Sequence, residues 1–199
     1  MVRYLKSEIK HVLTHIHPCD DILELGCGYG RVLAELLESS RNVVGIDTSL
    51  ESLELARMSF GKKLHLCQMD ARTLGFRDNS FDKTICIQNG ISAFKIEPSV
   101  LLMESVRVTR DGGTCFFSSY SENFWEHRLE WFRVQSEAGL LGEIDWEKTR
   151  NGVIVCKDGF RATTFSQGDF EKLTYTLGLE AEILEVDESS VFCEVRVTK

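Results

Sequence analysis

The sequence predicts an α/β protein with a doubly wound, mostly parallel sheet, helices on both faces and a single domain. Three observations carry that reading. Residues 20–31, DDILELGCGYGR, join a short apolar run to a glycine-rich turn and then to an amphipathic segment. Strand-like and helix-like stretches alternate over the first two-thirds of the chain, the order that builds a parallel sheet with crossover helices. The length of 199 residues fits one domain of ordinary size, and 43% hydrophobic with 27% charged residues describes a soluble globular chain.

The elements follow in order. Leu5, Ile9, Val12, Leu13 and Ile16 recur at helical spacing over about residues 2–17, with Lys6, Glu8, Lys10 and His11 on the other side, until Pro18 stops the helix. Such a start is not a signal peptide. His11, His15 and His17 with Cys19 raise the question of a metal, since His11 and His15 share a helix face. No carboxylate or further cysteine completes a tetrahedral set in the pattern, so no metal is expected.

Ile22, Leu23 and Leu25 form the run expected of a central parallel strand buried on both faces. Gly26-Cys27-Gly28-Tyr29-Gly30 ends it, and Val32, Leu33, Leu36 and Leu37 open the next helix. Glycine lets backbone approach a ligand closely, because no Cβ stands in the way. A dinucleotide fold wants G-x-G-x-x-G. Here the third glycine comes one position early, with Arg31 where a small residue is needed. Glu24 is also out of place beside a pyrophosphate and suits a ligand carrying an ammonium group. A dinucleotide-dependent oxidoreductase is therefore the weaker alternative.

Asn42 to Asp47 reads as a second strand ending in an acid about twenty residues past Gly26, the spacing at which a carboxylate meets a ribose. Thr48 and Glu51 match a capping box for the helix through Leu50, Leu53 and Ala56. Leu64 to Met69 is the third strand, followed directly by Asp70-Ala71, and Phe81 to Gln88 is the fourth. Gln88, Asn89 and Gly90 lie at its carboxyl end, where open α/β sheets bind ligands. Pro98 starts a helix that ends in Arg110-Asp111-Gly112-Gly113, and Thr114 to Ser119 is the fifth strand.

The motif E-L-G-C-G-Y-G, the F-D opening of the fourth strand and the R-D-G-G turn together resemble the class I S-adenosylmethionine-dependent methyltransferases, strongly over residues 20–120. The resemblance implies a seven-stranded sheet with its last strand antiparallel, and S-adenosyl-L-methionine as cofactor. It implies cofactor contacts at Glu24, Gly26, Cys27, Gly28, Gly30, Asp47 and Thr48. It further implies that Asp70 accepts from the adenine amino group and that Ala71 contributes its backbone. The resemblance also implies that Gln88 and Asn89 lie beside the methionine part. No catalytic residue is assigned: Tyr120, Glu122 and His127 are near the right strand end without a pattern that singles one out.

Beyond Tyr120 the resemblance weakens, and this is where such enzymes differ in substrate. Phe124, Trp125, Leu129 and Phe132 share a helix face of the kind that packs into a core. Val153 to Val155 and Arg161 to Phe165 flank Asp158-Gly159, a two-residue hairpin signal, which predicts a small hairpin inserted before the sixth strand. Ser166 with Asp169 caps a helix that Gly178 ends, and about Glu180–Val186 and Val191–Val197 form the closing pair of strands. The single domain thus divides into an N-terminal helix (1–18), a cofactor-binding half (20–120), an acceptor-side helix and hairpin (121–165), and a final helix with two strands (166–199).

Net charge is −8 with no Lys/Arg cluster, which disfavours a nucleic-acid partner, and no apolar run is long enough to span a bilayer. Seven cysteines without C-x-x-C pairs, most of them inside apolar runs, fit a reduced cytoplasmic setting. The expected activity is methyl transfer to a small molecule or short peptide by a monomer or homodimer, with a non-catalytic binding module as the alternative.

Overall fold

The computed structural model describes residues 1–40, 42–61 and 64–199. Along the chain run α1 (Val2–Leu13), β1 (Asp21–Leu25), α2 (Arg31–Ser39), β2 (Asn42–Asp47), α3 (Leu50–Phe60), β3 (His65–Gln68) and β4 (Phe81–Cys86). Then come α4 (Gly90–Ala93), α5 (Pro98–Val108), β5 (Thr109–Tyr120), a 3-10 turn (Glu122–Phe124) and α6 (Trp125–Glu137). The chain closes with β6 (Ile154–Val155), β7 (Arg161–Ala162), α7 (Gln167–Leu177), β8 (Ala181–Val186) and β9 (Ser190–Arg196). Seven strands make one sheet in the order β3-β2-β1-β4-β5-β9-β8, while β6 and β7 pair separately as the inserted hairpin. The first five strands run parallel, and β9 is antiparallel to both β5 and β8.

Apolar side chains cover both faces of the sheet, as a doubly wound topology requires. On one face Ile9 and Val12 of α1, Leu33 and Leu36 of α2 and Leu53 and Ala56 of α3 pack with Ile22, Val43 and Ile85. On the other, Leu101, Leu102 and Val108 of α5 and Phe170 of α7 pack with Leu23, Ile46 and Phe117. No helix among the described residues is long and apolar enough to cross a membrane.

Several elements differ from the sequence pattern for local reasons. The first helix ends at Leu13, four residues before the expected stop, where the Thr14 hydroxyl donates to the His11 carbonyl at 2.6 Å. Glu8 does not face solvent: it is fully buried against the sheet, and His11 is half-buried. Ser49, rather than Thr48, caps α3, its hydroxyl accepting from Ser52 N–H at 3.1 Å. β5 begins at Thr109 instead of Thr114, with a register shift opposite Phe81–Lys83. Gly113 permits this shift, since a Cβ there would lie 2.7 Å from the Asp82 carbonyl oxygen. Arg110 then joins Asp82 at 2.6 Å and Asp21 at 2.7 Å, tying β5 to β4 and β1.

The hairpin turn is a three-residue loop instead of the two-residue one. Cys156 N–H donates to Phe160 O at 2.9 Å, and Gly159 takes the left-handed conformation at φ 95°. The expected capping box of α7 is present between Ser166 and Asp169, and Gly178 ends the helix at φ 67°.

Gly45 of β2 sets how closely α2 and the glycine turn lie on the sheet. A Cβ there would stand on Leu33 Cδ1 and 2.8 Å from Cys27 Sγ. Gly45→Ala is expected to destabilise the protein by about 1–3 kcal/mol through overpacking. Urea unfolding followed by circular dichroism checks this, and an unchanged midpoint would show that the turn has room to move.

Candidate functional site

The site is built at the carboxyl end of β1, where the sheet's connections part. Gly26, Gly28 and Gly30 all adopt positive φ, at 69°, 51° and 85°, which reverses the chain between β1 and α2 in five residues. Each glycine has its own surroundings. A Cβ on Gly26 would lie 2.6 Å from the Phe94 ring, one on Gly30 would press on Ala56 and Phe60, and Gly28 faces open space. The turn is fastened to β2 at two points. Cys27 N–H donates to the Ile46 carbonyl at 2.9 Å, and Gly28 N–H donates to Asp47 Oδ2 at 2.9 Å. Asp47 Oδ1 accepts from Ser49 N–H at 2.9 Å, so this one carboxylate joins the turn after β1 to the start of α3.

A cavity of about 330 Å³ opens beside the turn. Gly26, Asp47, Thr48, Asp70 and Ala71, five of the sequence-predicted residues, share its wall. Asp70 is held below the usual carboxylate range by Arg72, whose guanidinium donates at 2.6 and 3.0 Å and whose N–H donates at 2.9 Å. Ala71 is buried beside it. Met69, Phe94 and Ile96 complete the apolar part of the wall and were not legible in the motif pattern. Phe94 follows the short α4, and nothing in N-G-I-S-A-F marks it as turning back over Gly26.

Glu24 lies outside that wall, on β1 opposite Gly45. It is buried, and its Oε2 has no hydrogen-bond partner among the described residues. Burial pushes its carboxyl up to about 8, against the opposing pull of the nearby Arg31 charge. Arg31 also engages the Gln88 side-chain oxygen and lies 5.8 Å from the Tyr29 ring centre. Cys27 is buried, and burial pushes its thiol far above the usual range, so it packs as an apolar side chain.

Gln88 and Asn89 both take left-handed backbone, at φ 59° and 63°. Gln88 N–H donates to Glu8 Oε2 at 2.7 Å and lies 2.9 Å from Ser118 Oγ. The Asn89 side chain spans two elements: its Oδ1 accepts from Ser119 Oγ at 2.7 Å and its Nδ2 donates to the Thr163 carbonyl at 3.0 Å. It therefore ties the inserted hairpin to the end of β5. Glu8 is a site-building residue that the helix pattern concealed, and burial pushes its carboxyl up to about 7.

A second, larger cavity of about 950 Å³ lies beyond β5, between the 121–165 segment and the start of α7. Tyr120, Trp125, Arg128, Gly152, Asp169 and Glu185 are on its wall. Of the stripe expected here, Phe124 is buried while Trp125, Leu129 and Phe132 are only half-buried, and the fully buried residue of α6 is Arg128. Tyr120, Phe132 and Trp125 surround its guanidinium at 4.7, 5.5 and 6.0 Å. Arg128 donates to the Gly152 carbonyl at 2.6 Å and the Thr163 carbonyl at 3.2 Å, clamping the hairpin to α6. Tyr4 of α1 stacks on Tyr120 at 4.4 Å from below. His127 and Glu122 are exposed.

Comparison with known proteins places this geometry. A protein-family model described as "Methyltransferase domain" matches residues 23–117. An arsenite methyltransferase from Aquipseudomonas alcaligenes is 31% identical over 140 residues, covering 63% of this chain and 40% of its own length. A ubiquinone biosynthesis O-methyltransferase from Idiomarina loihiensis is 26% identical over 123 residues, covering 55% and 50%. The chain thus spans about half or less of these relatives. The crystal structure of a SAM-dependent methyltransferase from Methanosarcina mazei superposes with a TM-score of 0.68 at 20% identity, covering 95% of this chain and 98% of its own.

Two measurements follow from this geometry. Because Glu24 and Glu8 hold their protons more tightly folded than unfolded, their contribution is fully present below about 4.5 and is lost as pH rises through about 7 to 8. Glu24→Gln is expected to flatten that fall and to stabilise the ligand-free protein at pH 8 by on the order of 1–3 kcal/mol, read from unfolding midpoints across pH. Arg128→Ala leaves two carbonyls without their donor and is expected to cost about 1–3 kcal/mol. Faster amide exchange confined to residues 142–164 would mark the loosened hairpin, and an unchanged exchange pattern would refute the clamp.

Proposed function

We propose that this chain, whose residues 23–117 match a methyltransferase-domain model, is a class I, Rossmann-like S-adenosylmethionine-dependent methyltransferase that transfers a methyl group from S-adenosyl-L-methionine to a small molecule or short peptide. The observation that carries the cofactor assignment is Glu24. A buried carboxylate oxygen without a partner wants a charged donor, and the ammonium group of the cofactor's amino acid end is one. A pyrophosphate at the same place would meet like charge, which argues against a dinucleotide.

The residues present fit the rest of the cofactor. Gly26, Cys27, Gly28 and Gly30 supply backbone without side-chain bulk, and the space at Gly28 leaves room for close approach. Asp47 and Thr48 stand at the carboxyl end of β2, where Asp47 can accept from ribose hydroxyls. Asp70 accepts from the adenine amino group, and Ala71 offers its backbone beside the ring. Gln88 and Asn89 shape the methionine side, Asn89 by holding the hairpin and β5 in place.

When bound, the cofactor supplies a methyl group on a positively charged sulfur, already activated for displacement. The protein's task is then to hold an acceptor in line and to exclude water, and orientation of this kind supplies up to roughly 7–11 kcal/mol. Tyr120, Trp125 and the Arg128-clamped hairpin form the acceptor-side wall that does so. Acidic groups on that wall, Glu185 and Asp169 among them, favour an acceptor without excess negative charge.

Titration calorimetry tests the reading. S-Adenosylhomocysteine is expected to bind at about −7 to −8 kcal/mol, in the low-to-middle micromolar range. Asp47→Ala is expected to weaken it by about 1.5–3 kcal/mol, with Asp47→Asn intermediate because the amide keeps the shape and loses the charge. Tight NADH binding without a response to S-adenosylhomocysteine would overturn the cofactor assignment. Cofactor binding without S-adenosylhomocysteine release, against mixed pools of small-molecule and peptide acceptors, would favour a binding module.

A further inference from the structure

From the junction of α1 and β9, we infer a binding site for a divalent transition metal of the zinc type, formed by His11, His15 and Glu194. His11 in the last turn of α1 and His15 in the turn just past its end stand four residues apart, an arrangement suited to holding a metal from one side. The fold adds what the local pattern lacks. β9, arriving 183 residues after His11, places Glu194 against both rings. His11 Nε2 lies 2.6 Å from Glu194 Oε1, and His15 Nε2 lies 3.8 Å from Glu194 Oε2. One ligand atom from each of the three residues falls within 4.8 Å of the others, and among the described residues this is the one His/Cys/Asp/Glu group to do so.

The hydrogen bonds around His15 fix it as a ligand. Its Nδ1 lies 3.1 Å from both the His11 carbonyl oxygen and the Thr14 hydroxyl oxygen, and because that hydroxyl already donates to the same carbonyl, both oxygens accept and Nδ1 carries the proton. Nε2 of the neutral ring then presents a lone pair toward a carboxylate oxygen. Two acceptors face each other across 3.8 Å, an arrangement that a cation between them turns from repulsive to attractive. Donation from the second ring nitrogen to a carbonyl is also the usual outer support of a metal-bound histidine. The ring orientations are set by packing: His11 lies 4.5 Å from the Phe192 ring and His15 5.4 Å from the Phe116 ring.

The dimensions suit a small tetrahedral ion. Bonds of about 2.0–2.2 Å place ligand atoms about 3.3 Å apart, between the two separations seen here. Small rotations of the Glu194 carboxylate and the His11 ring, with release of the His11 Nε2 proton, close the set. Nitrogen and carboxylate ligands favour zinc, cobalt or nickel over magnesium and calcium. His15 is 40% exposed, so solvent completes the coordination. The site sits toward the C-terminal end of α1, whereas Tyr4, nearer its start, stacks on Tyr120 beside the larger cavity. Its role is to fasten α1 to β9, independent of the proposed methyl transfer.

Tag-free full-length protein, freed of metal with a chelator, is titrated with Co²⁺ and then Zn²⁺. The expected results are one equivalent bound, a visible ligand-field spectrum displaced by Zn²⁺, and a rise in thermal midpoint with Zn²⁺ but not with Mg²⁺. Glu194→Gln and His15→Ala are each expected to weaken binding by about tenfold or more. His15 is exposed enough that its variant keeps the fold, checked by circular dichroism, should Glu194→Gln lose it. Absence of the cobalt spectrum, or equal binding by His15→Ala, overturns the site and leaves an ordinary histidine–glutamate ion pair.

Discussion

The direction change at β1 is the constraint on which the rest of the molecule depends. β2 and β3 extend the sheet on one side of it and β4 and β5 on the other, so the connections leave β1 and β4 by opposite faces. No crossover covers the carboxyl ends between them, and a crevice results that the chain need not otherwise build. The glycine turn sits at its lip because a strand buried on both faces must be left abruptly. Asp47 holds that turn through the Gly28 N–H, so the geometry after β1 is a property of two strands together.

Buried acids are the cost of this arrangement. Glu24 and Glu8 are both removed from water on β1 and α1, and each resists ionisation when the site is free. Among the described residues neither is compensated by a full ion pair: Arg31 is near Glu24 but engages Gln88 instead. A folded protein tolerates such groups where a ligand or a neighbouring backbone N–H is the intended partner. Glu8 has that backbone partner in Gln88, which couples the first helix to the end of the fourth strand.

The acceptor side depends on a different solution. A segment of short strands and irregular chain cannot bury much apolar surface, and Ile144, Ile154 and Cys156 make only a small core of their own. Arg128 supplies the remainder by giving its donors to two carbonyls of the segment while its planar face packs among aromatic rings. Asn89 and Ser119 fasten the far end, since Ser119 Oγ also accepts from Phe165 N–H at 2.8 Å. The cover over the larger cavity is thus fixed to α6, β4 and β5 at defined points.

The alternation of strands and helices, the glycine turn with its acids at Glu24, Asp47 and Asp70, the capping box at Ser166 and the closing antiparallel pair were all determined by the sequence itself. Each rests on near-neighbour chemistry: helical or strand periodicity, a backbone conformation only glycine adopts freely, or a side chain reaching three residues along. What only the tertiary structure decided lies at long range in the chain. Glu8 reads as the polar side of an amphipathic helix until the sheet buries it under Gln88. Nothing in the sequence pattern singles out Arg128, and only the fold encloses it between Tyr120 and two hairpin carbonyls. Phe94 carries no motif signal, and only the fold brings its ring against Gly26. A period of 3.6 residues marks which side of a helix is apolar, but not which polar group the opposing sheet is shaped to receive.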